Sequence, residues 1–392
     1  MYRCKIMILV LMLLPGSRVL AQFNGGRMVS DAFYTEIPFD YVHDAIVVEA
    51  AINGVKGRYL LDTGAMCILF KDSVVHDFPN ARELRIGDAT GKKQMASVVD
   101  MPLIEIGGLR YEGIPTLYID VFKGPFKCLG YKGIIGSNLL RFGAFKVDWA
   151  AHKLIIAKDY QTLGMHASAG SKMRVNKQQS SPFVKVKVNG KDIKWVLLDT
   201  GSGDSFSLYH ITANWLRKKG VLAAPVYQSN GTNSHGAWGA GSYAADIYNL
   251  ESMTVGRQQF YGPIIETGAG KSKIGMQVLE RGDFVMDYPQ KRFFIAANKE
   301  CVDLLIRSFG LDFIMYNDTF VVNGVWQDTA ADSAGIQKGD VLVDIKGFNF
   351  ANQAPCDIYR SLKHTTRSKE RLTFVFRRDD MEREVSLSRI KF

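Results

Sequence analysis

Apolar and polar residues alternate along most of this chain with the two-residue period of a half-buried strand. The segment IVVEAAINGVKGRYLLDTG alternates up to Asn53-Gly54, a hairpin-turn dipeptide, and returns as a second strand that stops at Asp62. FVKVKVNGKDIKWVLLDTG does the same through Asn189-Gly190 and stops at Asp199. Helical periodicity is scarce. YHITANWLRKKG (209–220), closed by Gly220, is the best helical candidate.

The pattern repeats beyond these two segments. IGSNLLRFGAFKVDWAAHKLIIA (135–157) aligns without a gap to IGMQVLERGDFVMDYPQKRFFIA (274–296), with eight of 23 positions identical. IGGLRYEGIP (106–115) matches VGRQQFYGPI (255–264) in the same order. An internal duplication explains both matches. It predicts two homologous lobes of short strands, 33–157 and 175–297, joined by a linker at 158–174 that runs into the polar stretch GMHASAGSKMRVNKQQSS (164–181). Pseudo-twofold symmetry would bring equivalent points near its axis together, and so set Asp62 beside Asp199.

The N-terminus follows another pattern. Arg3 and Lys5 precede the apolar run Ile6–Leu14, and Pro15-Gly16 and the small-residue exit Val19-Leu20-Ala21 follow it. This predicts a signal peptide over 1–21 and an exported mature chain, in the periplasm, at the cell surface or secreted. A run of nine apolar residues is too short to cross a hydrocarbon core of about 30 Å. Only about ten residues separate the signal exit from the first strand, which leaves little room for an inhibitory pro-segment.

Composition narrows the class. The chain is 47% hydrophobic and 22% charged, as a soluble globular protein is. Loss of Arg3, Lys5 and Arg18 with the signal lowers the formal charge from +10 to +7. The remaining basic residues are spread rather than clustered with aromatics, so they read as solvated surface and not as a nucleic-acid site. Scattered histidines, with no C-x-x-C or H-E-x-x-H, predict neither metal nor cofactor. Cys67, Cys128, Cys301 and Cys356 remain after the signal. They divide into an early and a late pair that could form two disulfides, Cys67 with Cys128 and Cys301 with Cys356, or remain buried thiols.

Two carboxylates a few ångströms apart cannot both ionise cheaply, so they share one proton across a broad pH window. The ionised member can take a proton from water while the protonated member donates to a substrate carbonyl.

The sextets Leu60-Leu61-Asp62-Thr63-Gly64-Ala65 and Leu197-Leu198-Asp199-Thr200-Gly201-Ser202 resemble the active-site loops of pepsin-like and retroviral-type aspartic peptidases. In that family a hydrophobic-hydrophobic-Gly segment follows each loop. Ile134-Ile135-Gly136 fits this pattern, and Lys273-Ile274-Gly275 fits it in part. The resemblance implies a mainly β, bilobal fold. It makes Asp62 and Asp199 the catalytic pair and Thr63 and Thr200 the residues that bond one loop to the other. Gly64 and Gly201 would shape the loops, and Ser202 would hydrogen-bond Asp199 where Ala65 cannot bond Asp62. It also implies flaps over the cleft. RIGDATGKKQMASVV (85–99) would be a glycine-containing flap without the pepsin-type tyrosine. SNGTNSHGAWGAGSY (229–243), with Trp238 and Tyr243, would be either a second substrate-contacting segment or a surface loop.

After Ala297 the repeat stops. TAADSAGIQKGDVLVDIKGFNF (329–350) resembles the signature of a PDZ domain, which would span 302–392. Phe309, Gly310, Leu311, Asp312 and Phe313 would then form the carboxylate-binding loop, DIYRSLKHT (357–365) the groove helix and ERLTFVFRR (370–378) a closing strand. A module with a blocked groove stays open as an alternative.

The sequence therefore predicts an exported, monomeric aspartic endopeptidase. It would act on polypeptides and take peptide C-termini at its last domain. The competing reading is an inactive peptide-binding protein of the same fold.

Overall fold

The computed structural model describes residues 23–391, apart from 32, 74–77, 121–124, 233, 263, 269, 298–306, 349 and 351–352. The signal-peptide segment and Cys301 lie outside the described residues. The chain is mainly β, as expected.

Both Asn-Gly dipeptides make the predicted hairpins. Asn53 and Gly54 have φ of 48° and 81°, and Asn189 and Gly190 have 45° and 76°. Two successive positive φ values are what a two-residue turn needs to follow the twist of its strands. Val55–Asp62 pairs antiparallel with Ala45–Ile52, and Lys191–Leu198 with Pro182–Val188. Each Asp-bearing strand then takes a parallel partner on its other side. Ile134 and Ile135 lie against Leu60 and Leu61, and Lys273 and Ile274 against Leu197 and Leu198. These strands are therefore central, which is why their apolar runs end so abruptly at Asp.

A six-stranded sheet joins the halves, in the order Tyr34–Val42, Lys153–Ala157, Ala144–Asp148, Gly282–Asp287, Arg292–Ala297, Ser171–Val175. At its centre Lys146 pairs with Val285 and Ala144 with Asp287. The sequence repeat is offset by 139 positions here (135 to 274), which carries Lys146 onto its own partner Val285. The ladder therefore maps onto itself, and a local twofold passes through that pair. Phe145, Val147, Phe284 and Met286 stand in one apolar core with Leu61 and Leu198 beneath the two Asp-bearing strand ends. Burying each such side chain contributes roughly 1.5–3 kcal/mol.

The polar linker is more ordered than its composition suggests. Its end, Ser171–Val175, is a strand held between Arg292–Ala297 and Pro182–Val188. Only Met173 of the five is fully buried, so an edge position tolerates the polar sequence. The helix over 209–220 forms as His210–Lys218, with Gly220 at φ 69° behind it.

Residues beyond 307 form a five-stranded sheet in the order Leu311–Tyr316, Thr319–Val325, Val341–Ile345, Arg371–Arg378, Met381–Ser388. Helices Ala330–Ser333 and Pro355–Ser368 accompany it. Phe309, Phe320, Phe374 and Phe376 fill its separate core.

The cysteines depart from expectation. Cys128 is bonded to Cys356, not to Cys67, with Cα atoms 4.7 Å apart across 228 positions of chain. Cys67 is buried and free. It sits beneath the Asp62 loop, where its Sγ accepts the Gly136 N–H at 3.4 Å. Cys128 lies on helix Pro125–Leu129, against which helix Pro355–Ser368 packs. Proximity in sequence misled because the last unit folds back on the first half. It also docks on the second half. Asn323 Nδ2 donates to Thr232 O at 2.8 Å, Gln327 N to Gln228 O at 2.8 Å and Val325 N to Asn230 Oδ1 at 3.2 Å.

Candidate active site

Asp62 and Asp199 close two equivalent strands, and the residue after each reaches across to the other loop. Thr63 N donates to Thr200 Oγ1 at 3.0 Å, and Thr200 N to Thr63 Oγ1 at 3.1 Å. Each hydroxyl donates in turn to a carbonyl of the opposite strand, Thr63 to Leu198 O at 2.7 Å and Thr200 to Leu61 O at 2.9 Å. Both threonines are fully buried, so all four bonds form away from water.

The crossing sets the carboxylates face to face. A Cβ added to Gly64 would lie 2.6 Å from Asp199 Oδ1, and one added to Gly201 would lie 2.2 Å from Asp62 Cγ. Each glycine is thus the close-approach point for the carboxylate of the other loop. Gly64 N and Ala65 N donate to Asp62 Oδ1 at 2.7 and 3.1 Å, and Gly201 N donates to Asp199 Oδ1 at 3.2 Å. Burial and then the neighbouring Asp199 push Asp62 up to about 8. Burial also raises Asp199, while the Lys273 ammonium pulls it back. The pair holds one proton near neutrality.

Further groups brace the loops. Ser137 Oγ donates to Thr63 O at 2.6 Å and meets Tyr288 OH at 2.9 Å. Gln179 Nε2 donates to Gly64 O at 2.8 Å. Nothing in the sequence around Gln179 marks it for this position. Ser202 does not take its expected part, because its hydroxyl donates to Asp204 Oδ2 at 2.8 Å rather than to Asp199. Lys273 Nζ lies 3.0 Å from Asp204 Oδ2 and 4.0 Å from Asp199 Oδ2. The sequence signal for Lys273 is its imperfect fit to the hydrophobic-hydrophobic-Gly pattern.

The expected flap is a hairpin of Arg82–Gly87 and Lys93–Met101. Asp88 at its tip caps the turn, accepting from Thr90 N at 2.9 Å, Thr90 Oγ1 at 2.7 Å and Lys92 N at 3.1 Å. Its other oxygen accepts from Trp238 N at 2.9 Å, and Trp238 Nε1 donates to Ile86 O at 3.1 Å. Trp238 belongs to a short hairpin of Ser234–Gly236 and Gly239–Gly241. It packs in one apolar cluster with Leu84, Ile86 and Ala65. The glycine-rich segment is therefore engaged with the first flap, beside the Asp62 loop.

The five residues from Phe309 to Phe313 lie at the start of the last sheet, where the Asp312 carboxyl is near enough to Asp204 of the second loop for their charges to interact. Phe309 and Leu311 are buried in its core, and Phe313 stacks on Phe374 and Phe376. Gly310 has φ 79°, and its N–H is turned onto Ser308 Oγ at 3.0 Å. Asp312 Oδ2 accepts from Trp326 Nε1 at 3.0 Å, and burial pushes its carboxyl up to about 7.

The aspartyl protease family model matches residues 48–139, a segment that holds Asp62, the flap hairpin and Ile134-Ile135-Gly136. No curated protein matches the chain. The matched segment is an aspartic-peptidase-like domain and points to hydrolase chemistry at that general level.

Proposed function

We propose that the chain is an exported aspartic endopeptidase in which Asp62 and Asp199 activate one water against a peptide bond. The observation that carries this reading is the reciprocal pair of bonds between Thr63 and Thr200, which fixes the two carboxylates against each other. One carboxylate takes a proton from water as its oxygen bonds to the carbonyl carbon. The other gives its proton to the carbonyl oxygen. The gem-diol then collapses, the C–N bond breaks, and a proton passes to the leaving nitrogen.

The last unit is read as a PDZ domain that binds an extended peptide C-terminus or regulates the cleft. Support comes from the order of its strands and helices and from Gly310 at positive φ. The Ser308 contact and the Asp312 carboxyl narrow the room for a bound carboxylate and favour the regulatory role.

One observation favours the rival reading of peptide binding without cleavage: the clasp of Trp238 on Asp88 closes the two hairpins on each other. Incubation of the mature chain with a degenerate peptide library between pH 4 and pH 7, read by mass spectrometry, separates the two. Endoproteolytic products that disappear in Asp62→Asn support the peptidase, and retention of intact peptides supports the binder.

A further inference from the structure

The two halves differ most where symmetry should be tightest. Ile134 and Lys273 occupy equivalent places, each one residue before the Ile-Gly that crosses its loop and each paired to the strand leading into its aspartate. The connecting loops differ as well. Asp62 is six positions before Ile68, which pairs with Ile134, whereas Asp199 is eight before Ser207, which pairs with Lys273. Up to that point the loops correspond, since Ser137 N bonds Ala65 O and Met276 N bonds Ser202 O. The two additional residues fall within 203–206, the stretch that carries Asp204. The second loop carries an inserted carboxylate and faces a lysine where the first half has only an isoleucine.

These changes work together. Lys273 Nζ is 3.0 Å from Asp204 Oδ2 and 4.0 Å from Asp199 Oδ2. Side-chain exposures of 23% for Lys273 and 14% for Asp199 leave little water to screen the pair. Burial opposes the ammonium, but Asp204 and Asp199 outweigh it and keep it charged. Tyr243 and Glu266 face the same lysine from the hairpin exit and from strand Ile264–Gly268, and Asp312 of the last sheet faces Asp204. On the other side, Asp62 has Asp199 and Tyr288 for titratable neighbours, together with the two amides of Gly64 and Ala65.

We propose that Lys273 is a positioning residue that polarises the carboxylate pair, keeping Asp199 ionised so that the shared proton sits on Asp62. The inference rests on the peptidase reading for its consequence. Asp199 is then the base that takes the proton from water, and Asp62 is the acid that gives its proton to the substrate carbonyl. Asp204 competes with Asp199 for the ammonium and, through the Ser202 hydroxyl, is itself held by the loop it extends.

The acid limb of the pH profile reports protonation of the ionised carboxylate. A cation within 4–6 Å lowers that pKa by about one to three units, so its removal moves the limb upward by a similar amount. For a short unstructured peptide, kcat/KM of Lys273→Met should show this upward shift with the alkaline limb little changed. Lys273→Arg should restore the wild-type position. Asp204→Asn, which removes a competing carboxylate, should move the limb downward. The opposite signs of the Met and Asn variants separate polarisation from general damage to the fold. An independent readout is carboxyl 13C titration of the Asp62→Asn and Asp199→Asn chains. The remaining Asp199 should ionise at a lower pH than the remaining Asp62. Unchanged acid limbs in an active enzyme, or equal titration of the two lone carboxylates, would overturn the inference. A chain that cleaves nothing yet shows the unequal titration would overturn the peptidase reading alone.

Discussion

The backbone N–H of Trp238 donates to the Asp88 carboxylate at 2.9 Å, joining a hairpin of the second half to the tip of the first flap. The same carboxylate caps its own turn through Thr90 and Lys92. One side chain therefore shapes the flap and latches it. Removing an acceptor from bonds to a charged group costs roughly 1.5–3 kcal/mol. In Asp88→Ala, amide exchange along Lys93–Met101 should accelerate by about ten- to hundredfold, while the sheet at Ala144–Asp148 stays protected. Equal exchange in variant and wild type would show that the apolar contacts of Trp238 hold the cover without the latch.

The glycines opposite the carboxylates give a sharper geometric test. In Gly201→Ala the new methyl group would fall 2.2 Å from Asp62 Cγ, so one loop or the other must give way. A displacement of about 1 Å at reacting groups can cost about a hundredfold. Cleavage by Gly201→Ala should fall at least that far in kcat, measured on a chain that circular dichroism shows to be folded. Normal turnover would mean that the carboxylates need not lie against these loops.

Stability should fall as pH rises from mildly acidic to mildly alkaline. Burial raises Glu266 to about 8 and Asp312 to about 7, both well above the usual carboxyl value of about 4. A carboxyl whose folded pKa is raised stabilises the fold at low pH, and that contribution disappears as pH climbs through the folded value. The window therefore runs from about pH 4 to pH 8. The thermal midpoint should drop across it, and Glu266→Gln should flatten the decline. A midpoint that rises over this range would refute the assignment.

The last unit is tied into the rest of the chain rather than hung from it. It is tied to the first half by Cys128–Cys356 and to the second by the Asn323–Gln327 edge. Trp326 also closes a small cluster over Ala245 and Ile247. Loss of a native disulfide costs about 2–5 kcal/mol. Cys356→Ser should unfold at lower temperature, and Gly324→Ala, whose methyl would meet Gly231 O at 1.6 Å, should loosen the other attachment. Together they should make the last unit more susceptible to limited proteolysis. An intact, resistant double variant would show that neither attachment matters.

Much of this was legible in the sequence because short-range signals decide it. Asn-Gly turns, alternating strands and the repeat that carries Lys146 onto Val285 are all written in local pattern. The Asp62–Asp199 pairing followed from that repeat and not from either loop alone. What stayed hidden depends on contacts between distant segments. Cys67 and Cys128 are close in sequence, yet one points into a core and the other outward to a helix more than two hundred positions later. Ser202 was expected at Asp199 by analogy, but the two-residue insertion that brings Asp204 gives its hydroxyl a nearer acceptor. Trp238 carried no mark of its partner, since a glycine-rich loop can present an aromatic ring in many directions.

The central claim is that Asp62 and Asp199 act as one unit. The direct measurement is the cleavage rate of a defined peptide by wild type, Asp62→Asn, Asp199→Asn and the double variant, each confirmed to be folded. Because one carboxylate cannot both activate water and donate to the carbonyl, each single variant should lose at least about a thousandfold. The double variant should be no slower than either single one, since members of one catalytic unit lose their effect together. Wild-type turnover in either single variant would contradict the account.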